Sequence, residues 1–300
     1  MKINAPMIRF SLFFVDLVEK KSLKKTFFPK NERFHYDLPY YFPNDNYRRF
    51  TYFRANEEKR KNKLIIDIHG GGYFHGNQRN NYQFAKIFCD DGFDAILPDY
   101  RLTDALRGFN VKTQVKDLLT FFSFLSLHLK EYQLDGDDLY LLGDSAGGHF
   151  ALLIGEILSS AKLRKKWSVN QFPLPIKGVL LNCPVYDFAS IFRDYKFTPR
   201  AKELLFGLDN IDESFLHTLS PREYLDALHC PVFVSSAKKD FLSSHAKKLD
   251  EDLNSNHHEH EFLFIEEKGW KIRHVHNLTH LSLPASKKVN DAMIKFMDEH

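Results

Sequence analysis

From residue 63 onward, the chain alternates short apolar runs with helix-length segments. The apolar runs lie at Lys63–Ile68, Asp94–Pro98, Leu139–Leu142, Val179–Leu181, Val232–Ser235 and Phe262–Ile265. The helical segments lie at Tyr82–Cys89, Val111–Leu129, Ala146–Ser159, His245–Leu253 and Ser286–Met297. Continuous apolar runs of this length are typical of strands buried on both faces of a parallel sheet. The alternation therefore predicts an α/β fold with a doubly wound, mostly parallel sheet.

Two aromatic-rich segments interrupt this alternation. Residues 1–45 precede the first predicted strand, and residues 186–220 look helical and contain no strand run. Apolar helices beside the carboxyl ends of a parallel sheet can cover a pocket, although they can also simply complete a core. We expect residues 1–300 to form a single domain in which these two segments act as a cap.

The bulk composition excludes several classes of protein. The chain has 300 residues, 43% of them hydrophobic, which is enough for one large core, and its net charge of +3 favours neither a nucleic acid nor an acidic surface as a partner. Its three cysteines are far apart, which predicts no disulfide, no zinc site and a reducing, cytoplasmic location. The histidine tract at 257–260 lacks a second ligand group, so no metal is expected.

The N-terminal apolar stretch at residues 8–18 does not predict a membrane span or a cleaved leader. Arg9, Ser11 and Asp16 interrupt it, and a span needs roughly 20 apolar residues. We interpret the stretch as an amphipathic helix covering part of the body, with contact at a membrane surface as the alternative. We therefore expect no integral membrane contact.

The strongest local motif is the sequence GDSAGG at residues 143–148, which follows one strand run and precedes a helical run. This is the G-x-S-x-G pattern of a nucleophile elbow, in which serine occupies a strained turn between strand and helix. Flanking glycines let the neighbouring backbone approach without a Cβ clash, and the helix N-terminus favours negative charge beside the serine. We predict that Ser145 is a nucleophile.

A second motif, HGGG at residues 69–72, directly follows the run Lys63–Ile68. A glycine loop after such a strand is typical of an oxyanion hole, because backbone N–H groups can point at a developing negative charge. We expect the amides of Gly71, Gly72 and Ala146 to donate there. His69 opens the loop, and we predict that it braces the loop rather than acting as a base.

A serine nucleophile needs a base and a carboxylate that orients the base, and in this arrangement both follow the serine in the chain. Asp240 lies just after the run Val232–Ser235, at a carboxyl end of the sheet, where such folds build their sites. For the base, His274, His276 and His280 all lie between the last strand and the last helix. Periodicity does not separate these three histidines.

These motifs together resemble one family. HGGG at 69–72, PDYRL at 98–102, GDSAGG at 143–148 and SAKKD ending at Asp240 occur in the order seen in hormone-sensitive-lipase-like esterases of the α/β-hydrolase fold. The resemblance covers about residues 63–297. In that family the catalytic histidine opens a segment that RHVHN matches at His274, although His276 stands where an aromatic residue is usual and so remains a competitor.

The resemblance implies a serine carboxylesterase. Ser145, His274 and Asp240 would form a triad that cleaves short-chain acyl esters through an acyl-enzyme, with no cofactor or metal. The alternatives are an aryl-formamidase or a carbohydrate deacetylase of the same fold, a lipase acting on long chains, and a ligand-binding protein on a hydrolase scaffold. The expected partner is a small-molecule ester. A homodimer is compatible with this interpretation.

Overall fold

The computed structural model describes residues 2–3, 33–134, 136–194, 196–208 and 211–300. The predicted N-terminal amphipathic helix, and with it most of the N-terminal cap segment, lies outside these residues. Within them, no helix combines the length and the apolar character that crossing a membrane would require.

The described residues contain ten strands. In chain order they are β1 (Lys2–Ile3), β2 (Phe34–Pro39), β3 (Arg49–Phe53), β4 (Lys63–Ile68), β5 (Asp94–Pro98), β6 (Asp138–Asp144), β7 (Ile176–Asn182), β8 (Lys196–Phe197), β9 (Val232–Ala237) and β10 (His260–Ile265). Eight of them form one sheet in the order β10-β9-β7-β6-β4-β5-β3-β2, while β1 pairs only with β8. Six strands of this sheet run parallel to one another: β4, β5, β6, β7, β9 and β10. At one edge, β3 pairs antiparallel with β5, and β2 pairs antiparallel with β3.

Ten α-helices connect and cover the strands in the described part of the chain. They are α1 (Tyr82–Asp91), α2 (Val111–His128), α3 (Ala146–Ser159), α4 (Ala161–Trp167), α5 (Phe188–Asp194), α6 (Pro199–Phe206), α7 (Glu213–Leu219), α8 (Ser243–Ser255), α9 (His276–Thr279) and α10 (Pro284–Glu299). Short 3-10 turns lie at Glu57–Lys59, Gln78–Asn81, Ala105–Arg107, Pro221–Glu223 and Leu225–Ala227. Each predicted strand run and each predicted helical segment coincides with one of these elements, so the predicted doubly wound sheet is confirmed.

The sheet is buried on both faces. Along β4, Leu64 and Ile66 belong to a core cluster on one face, and Ile65 between them belongs to a second cluster on the other. Successive strand residues point to opposite faces, so a strand covered on both sides must be apolar throughout. This is the physical origin of the continuous runs in the sequence.

The prediction that the sheet begins at residue 63 was wrong. Strands β2 and β3 precede it, and β2 occupies residues that the sequence assigned to the cap. Strand β2 forms the edge of the sheet, where only Phe34 of its six residues is buried, and it contains His35 and Asp37. An edge strand of this kind lacks the continuous apolar run that marks a central strand.

The insertion at 186–220 is helical, as predicted, with helices α5, α6 and α7, and also contains the two-residue strand β8, which the sequence did not indicate. Its aromatic rings pack against Tyr73, the residue that follows the HGGG loop: the ring centroids of Tyr73 and Phe188 are 5.7 Å apart. The insertion therefore lies beside the carboxyl edge of the sheet, where the predicted site residues are.

Candidate active site

Ser145 lies in the tight turn between the carboxyl end of β6 and the start of α3. Its φ angle of 54° is in the left-handed region, which a residue other than glycine rarely adopts. The turn is held on both sides, because the Ser145 amide donates to the Asn182 carbonyl at 2.9 Å and the Ser145 carbonyl accepts from the amides of His149 and Val185. The strained conformation expected for a nucleophile elbow is present at this serine.

His274 joins Ser145 and Asp240 in one line of hydrogen bonds. The Nε2 atom of His274 lies 2.8 Å from Ser145 Oγ, and its Nδ1 lies 2.6 Å from Asp240 Oδ1. The Asp240 side chain is fully buried, while the His274 side chain keeps about a fifth of its surface exposed. The three residues assigned to a triad from the sequence thus lie together, in the order that a general-base mechanism requires.

Asp240 is held as an anion by its surroundings. Burial acts to raise the pKa of this carboxyl, but hydrogen bonds from His274, from the Leu242 amide and from the Ser236 hydroxyl outweigh burial and hold the pKa below its ordinary value. A charged carboxylate beside Nδ1 favours the tautomer of the imidazole that carries its proton on Nδ1. That tautomer leaves Nε2 free to accept the proton of Ser145.

The competing histidines are engaged elsewhere. His276 is buried and its Nδ1 lies 3.0 Å from Ser286 Oγ, and burial lowers the pKa of its imidazole to about 4. The Nδ1 of His280 lies 3.0 Å from the hydroxyl of Thr279. Two residues apart on the chain, His274 and His276 point to different partners because Val275 between them has a φ angle of 47°.

His69 takes part in bracing the glycine loop. Its ring stacks on Tyr100 with centroids 4.4 Å apart, and its Nδ1 donates to the Gly70 carbonyl at 2.8 Å. The Tyr100 hydroxyl in turn donates to the His69 carbonyl at 2.6 Å. Complete burial lowers the pKa of the His69 imidazole to about 4, so the ring is neutral at physiological pH. These contacts agree with the predicted bracing role.

The HGGG loop lies directly against Ser145. A Cβ atom placed on Gly70 would come within 3.1 Å of the Cβ of Ser145, and one placed on Gly71 would collide with the His75 carbonyl oxygen at 1.9 Å. Gly71 also has a φ angle of 115°, which side chains rarely allow.

Within the described residues, the amides of Gly71, Gly72 and Ala146 have no hydrogen-bond acceptor. Donors left open beside a serine are what an oxyanion hole requires.

A buried polar network that the sequence analysis missed fixes this loop to the elbow. Asp144 Oδ1 accepts from the Gly70 amide at 3.1 Å and from Asn81 Nδ2 at 2.9 Å, and Asn81 Nδ2 also lies 3.0 Å from Asp67 Oδ1. Burial, together with the nearby Asp144, raises the pKa of Asp67 well above its ordinary value. The network holds Gly70 in place relative to Ser145.

His149 is a second residue whose role sequence analysis missed. It is fully buried on α3, where its Nδ1 lies 3.1 Å from the Tyr73 hydroxyl and its Nε2 lies 2.6 Å from the Leu219 carbonyl. Burial lowers its pKa to about 4. One neutral imidazole therefore links Tyr73, which follows the HGGG loop, to the end of the helical insertion. A histidine just after the GDSAGG motif was the only signal available in the sequence.

Cys183 lies beneath the line of hydrogen bonds. Its sulfur accepts the Val275 amide at 3.3 Å, and ligand atoms of Cys183, Asp240 and His274 all lie within 4.8 Å of one another. This is the one group in the described residues with a spacing that suits a metal ion. Burial raises the pKa of the Cys183 thiol well above its ordinary value. Through the Val275 amide, the Cys183 sulfur supports the turn that presents His274.

Comparison with solved structures identifies the fold. Esterase B from Lactobacillus rhamnosis, solved with a tributyrin phosphonate inhibitor, superimposes with a TM-score of 0.81 at 24% identity, covering 98% of this chain and 94% of that one. An acetyl ester-xyloside bifunctional hydrolase from Caldicellulosiruptor lactoaceticus gives a TM-score of 0.63 at 20% identity, covering 90% of this chain and 93% of that one. The sheet with its covering helices is the α/β-hydrolase fold.

Sequence comparison identifies the family. An esterase from Gibberella moniliformis (strain M3125 / FGSC 7600) is 28% identical over 170 residues, which are 53% of this chain and 47% of that protein, so the match spans about half of the relative's length. The BD-FAE family model matches residues 51–253, which include both glycine motifs and Asp240. The predicted resemblance to esterases of this fold is confirmed, and the chain belongs to the BD-FAE family.

Proposed function

We propose that this chain is a carboxylic ester hydrolase in which Ser145 is the nucleophile, His274 the general base and Asp240 the residue that orients the base. The observation that carries the proposal is the continuous line of hydrogen bonds from Asp240 through His274 to Ser145 Oγ. A serine hydroxyl is a weak nucleophile unless an adjacent base takes its proton. The imidazole of His274, whose Nε2 lies 2.8 Å from Ser145 Oγ, is such a base.

The reaction proceeds in two steps. Ser145 Oγ attacks the ester carbonyl while its proton passes to His274 Nε2, and the resulting imidazolium is stabilised by the Asp240 carboxylate. His274 then gives that proton to the departing alcohol as the carbonyl–oxygen bond breaks, which leaves an acyl group on Ser145. Water, activated by the same imidazole, hydrolyses the acyl-enzyme and regenerates the serine.

The oxyanion formed in each step is stabilised by backbone amides. We assign this role to Gly71, Gly72 and Ala146, because their N–H groups have no acceptor among the described residues and their loop lies against Ser145. Loss of one such donor costs roughly 3–4 kcal/mol of transition-state stabilisation in a well-studied serine hydrolase. Positioning of the loop by Asp144 and Asn81 is therefore part of the same function.

Short acyl groups fit the insertion better than long ones. The rings of Phe192 and Phe206 lie 4.6 Å apart between centroids, and Phe188 lies 5.9 Å from Phe206 and 5.7 Å from Tyr73. The aromatic rings of the insertion pack on one another, and this packing supports a preference for short acyl groups over long ones. We therefore propose that the insertion is a cap that limits the acyl length.

A substrate panel tests the proposal and its alternatives. We expect p-nitrophenyl acetate and butyrate to be hydrolysed with a higher kcat/KM than p-nitrophenyl octanoate. A clear preference for N-formylkynurenine would establish an aryl-formamidase, and a preference for acetylated sugars would establish a carbohydrate deacetylase. Failure to hydrolyse any of these substrates would support a ligand-binding protein on a hydrolase scaffold.

A further inference from the structure

Phe241 is a large apolar side chain left in solvent beside the proposed base. It follows Asp240 directly, and 65% of its surface is exposed, whereas Asp240 and Leu242 on either side are buried. Its ring lies 4.3 Å from the imidazole of His274 between centroids, at an angle of 42°. An exposed phenylalanine adds little to the core, so its position against the imidazole calls for a separate explanation.

The proposed mechanism fixes where the alcohol half of an ester must lie. The departing oxygen takes its proton from His274 Nε2, so it must come within hydrogen-bonding distance of that nitrogen. Because the imidazole ring is small and Phe241 packs on it, a ring carried by the departing oxygen lies within reach of the exposed face of Phe241. The acyl half lies elsewhere, bonded to Ser145 and beside the oxyanion loop.

Phe241 is not needed to hold His274 in place. The imidazole is already fixed at both nitrogens, by Asp240 at 2.6 Å and by Ser145 at 2.8 Å, and its backbone turn is held by the Val275 amide bonded to Cys183. The exposed aromatic face has no polar group, so it favours a flat apolar surface over a charged or flexible one.

We infer that Phe241 is a specificity-determining residue that packs against the alcohol portion of the substrate and selects esters whose alcohol carries a flat ring. The ring can be an aryl group or the C–H face of a pyranose, which share this chemistry. The inference rests on the proposed function, since it uses the role of His274 as the proton donor to the leaving group.

The test compares acetate esters that differ only in the alcohol. All of them form the same acetyl-enzyme, so kcat/KM reports the step in which the alcohol is still bound. In the Phe241→Ala variant we expect the ratio of kcat/KM for benzyl acetate over butyl acetate to fall about five-fold, in keeping with the usual strength of an aromatic contact. Phe241→Trp should preserve the ratio. An acetylated methyl xyloside in place of benzyl acetate distinguishes a pyranose from an aryl ring.

A matched control separates this effect from loss of any exposed aromatic ring. Phe42 is also 65% exposed, but it lies in the connection between β2 and β3 at the opposite edge of the sheet. Phe42→Ala should leave the ratio unchanged.

An equal loss of kcat/KM for all three esters in Phe241→Ala, or no change in their ratios, would overturn the inference while leaving the proposed function intact. If the wild-type chain hydrolysed none of the esters, the proposed function itself would be wrong and the inference with it.

Discussion

His274 and Ser145 are 129 residues apart in the chain, yet Nε2 of one lies 2.8 Å from Oγ of the other. The contact depends on two strained turns. Ser145 has a φ angle of 54° between β6 and α3, and Val275, next to His274, has a φ angle of 47° although its side chain is β-branched. Strain of this kind persists only where the surrounding structure imposes it, and it is common at functional sites.

Replacing His274 should remove activity, whereas replacing His276 should not. We expect His274→Ala to lower kcat for p-nitrophenyl butyrate about 10⁵-fold, because Ser145 loses its base. His276→Ala serves as the matched control. It removes a buried contact to Ser286 and should lower the free energy of unfolding by about 1–3 kcal/mol while leaving kcat of the folded protein within about three-fold. The opposite pattern in steady-state kinetics would move the base to His276.

Asp240→Asn should separate orientation of the base from its presence. An amide cannot stabilise the imidazolium, and it does not force the imidazole proton onto Nδ1, so kcat should fall about 10⁴-fold with a small change in KM. The measurement is the pair kcat and KM for p-nitrophenyl butyrate, with circular dichroism to show that the variant is folded. Activity within ten-fold of the wild type would mean that another carboxylate supports His274.

Asn81→Ala should weaken the HGGG loop without touching the proposed triad. The substitution leaves Asp144 with one donor fewer and removes a side-chain donor to Asp67, so Gly70 loses part of its support. We expect kcat to fall about ten- to hundred-fold, while KM changes by less than about three-fold. Unchanged kcat in the folded variant would show that the loop holds its position without this network.

Glu156 should make the stability of the protein fall as the pH rises. It is fully buried on α3, and neither of its carboxyl oxygens has a hydrogen-bond partner among the described residues. Burial raises its pKa well above the ordinary value of 4.5. The folded state therefore keeps a proton that the unfolded state releases, so the stability is full below pH 4.5 and is lost as the pH rises towards the raised pKa.

Urea unfolding at about pH 5 and about pH 8 checks this expectation. Glu156→Gln cannot ionise. The difference between its free energy of unfolding and that of the wild type should therefore shift in favour of the variant from the lower pH to the higher pH. Glu131→Gln, at an exposed position, provides the control and should show no such shift. If the difference in free energy of unfolding between Glu156→Gln and the wild type were the same at both pH values, a partner for the charged carboxylate would have to exist.

The sequence was sufficient to predict the central strands and the strand-to-helix turn at Ser145 because both have local signals. A strand buried on two faces must be apolar throughout, and a nucleophile elbow requires glycines at fixed positions around the serine. Strand β2 was missed because an edge strand tolerates polar residues such as His35 and Asp37.

The choice among the three histidines could not be made from local pattern. Their orientations depend on the left-handed turn at Val275, which the sequence does not indicate, since valine is among the residues least suited to it. Only the family resemblance favoured His274. The partners Asn81 and His149 were missed for a related reason, because each becomes significant only through contacts with residues far along the chain.

Labelling with a fluorophosphonate probe, followed by peptide mass spectrometry, tests most directly whether Ser145 is an activated nucleophile. We predict one covalent adduct on the peptide that contains Ser145, present in the wild type and in His276→Ala, strongly slowed in His274→Ala and absent from Ser145→Ala. A wild-type protein that forms no adduct, or an adduct that persists at the same rate after Ser145→Ala, would contradict the account.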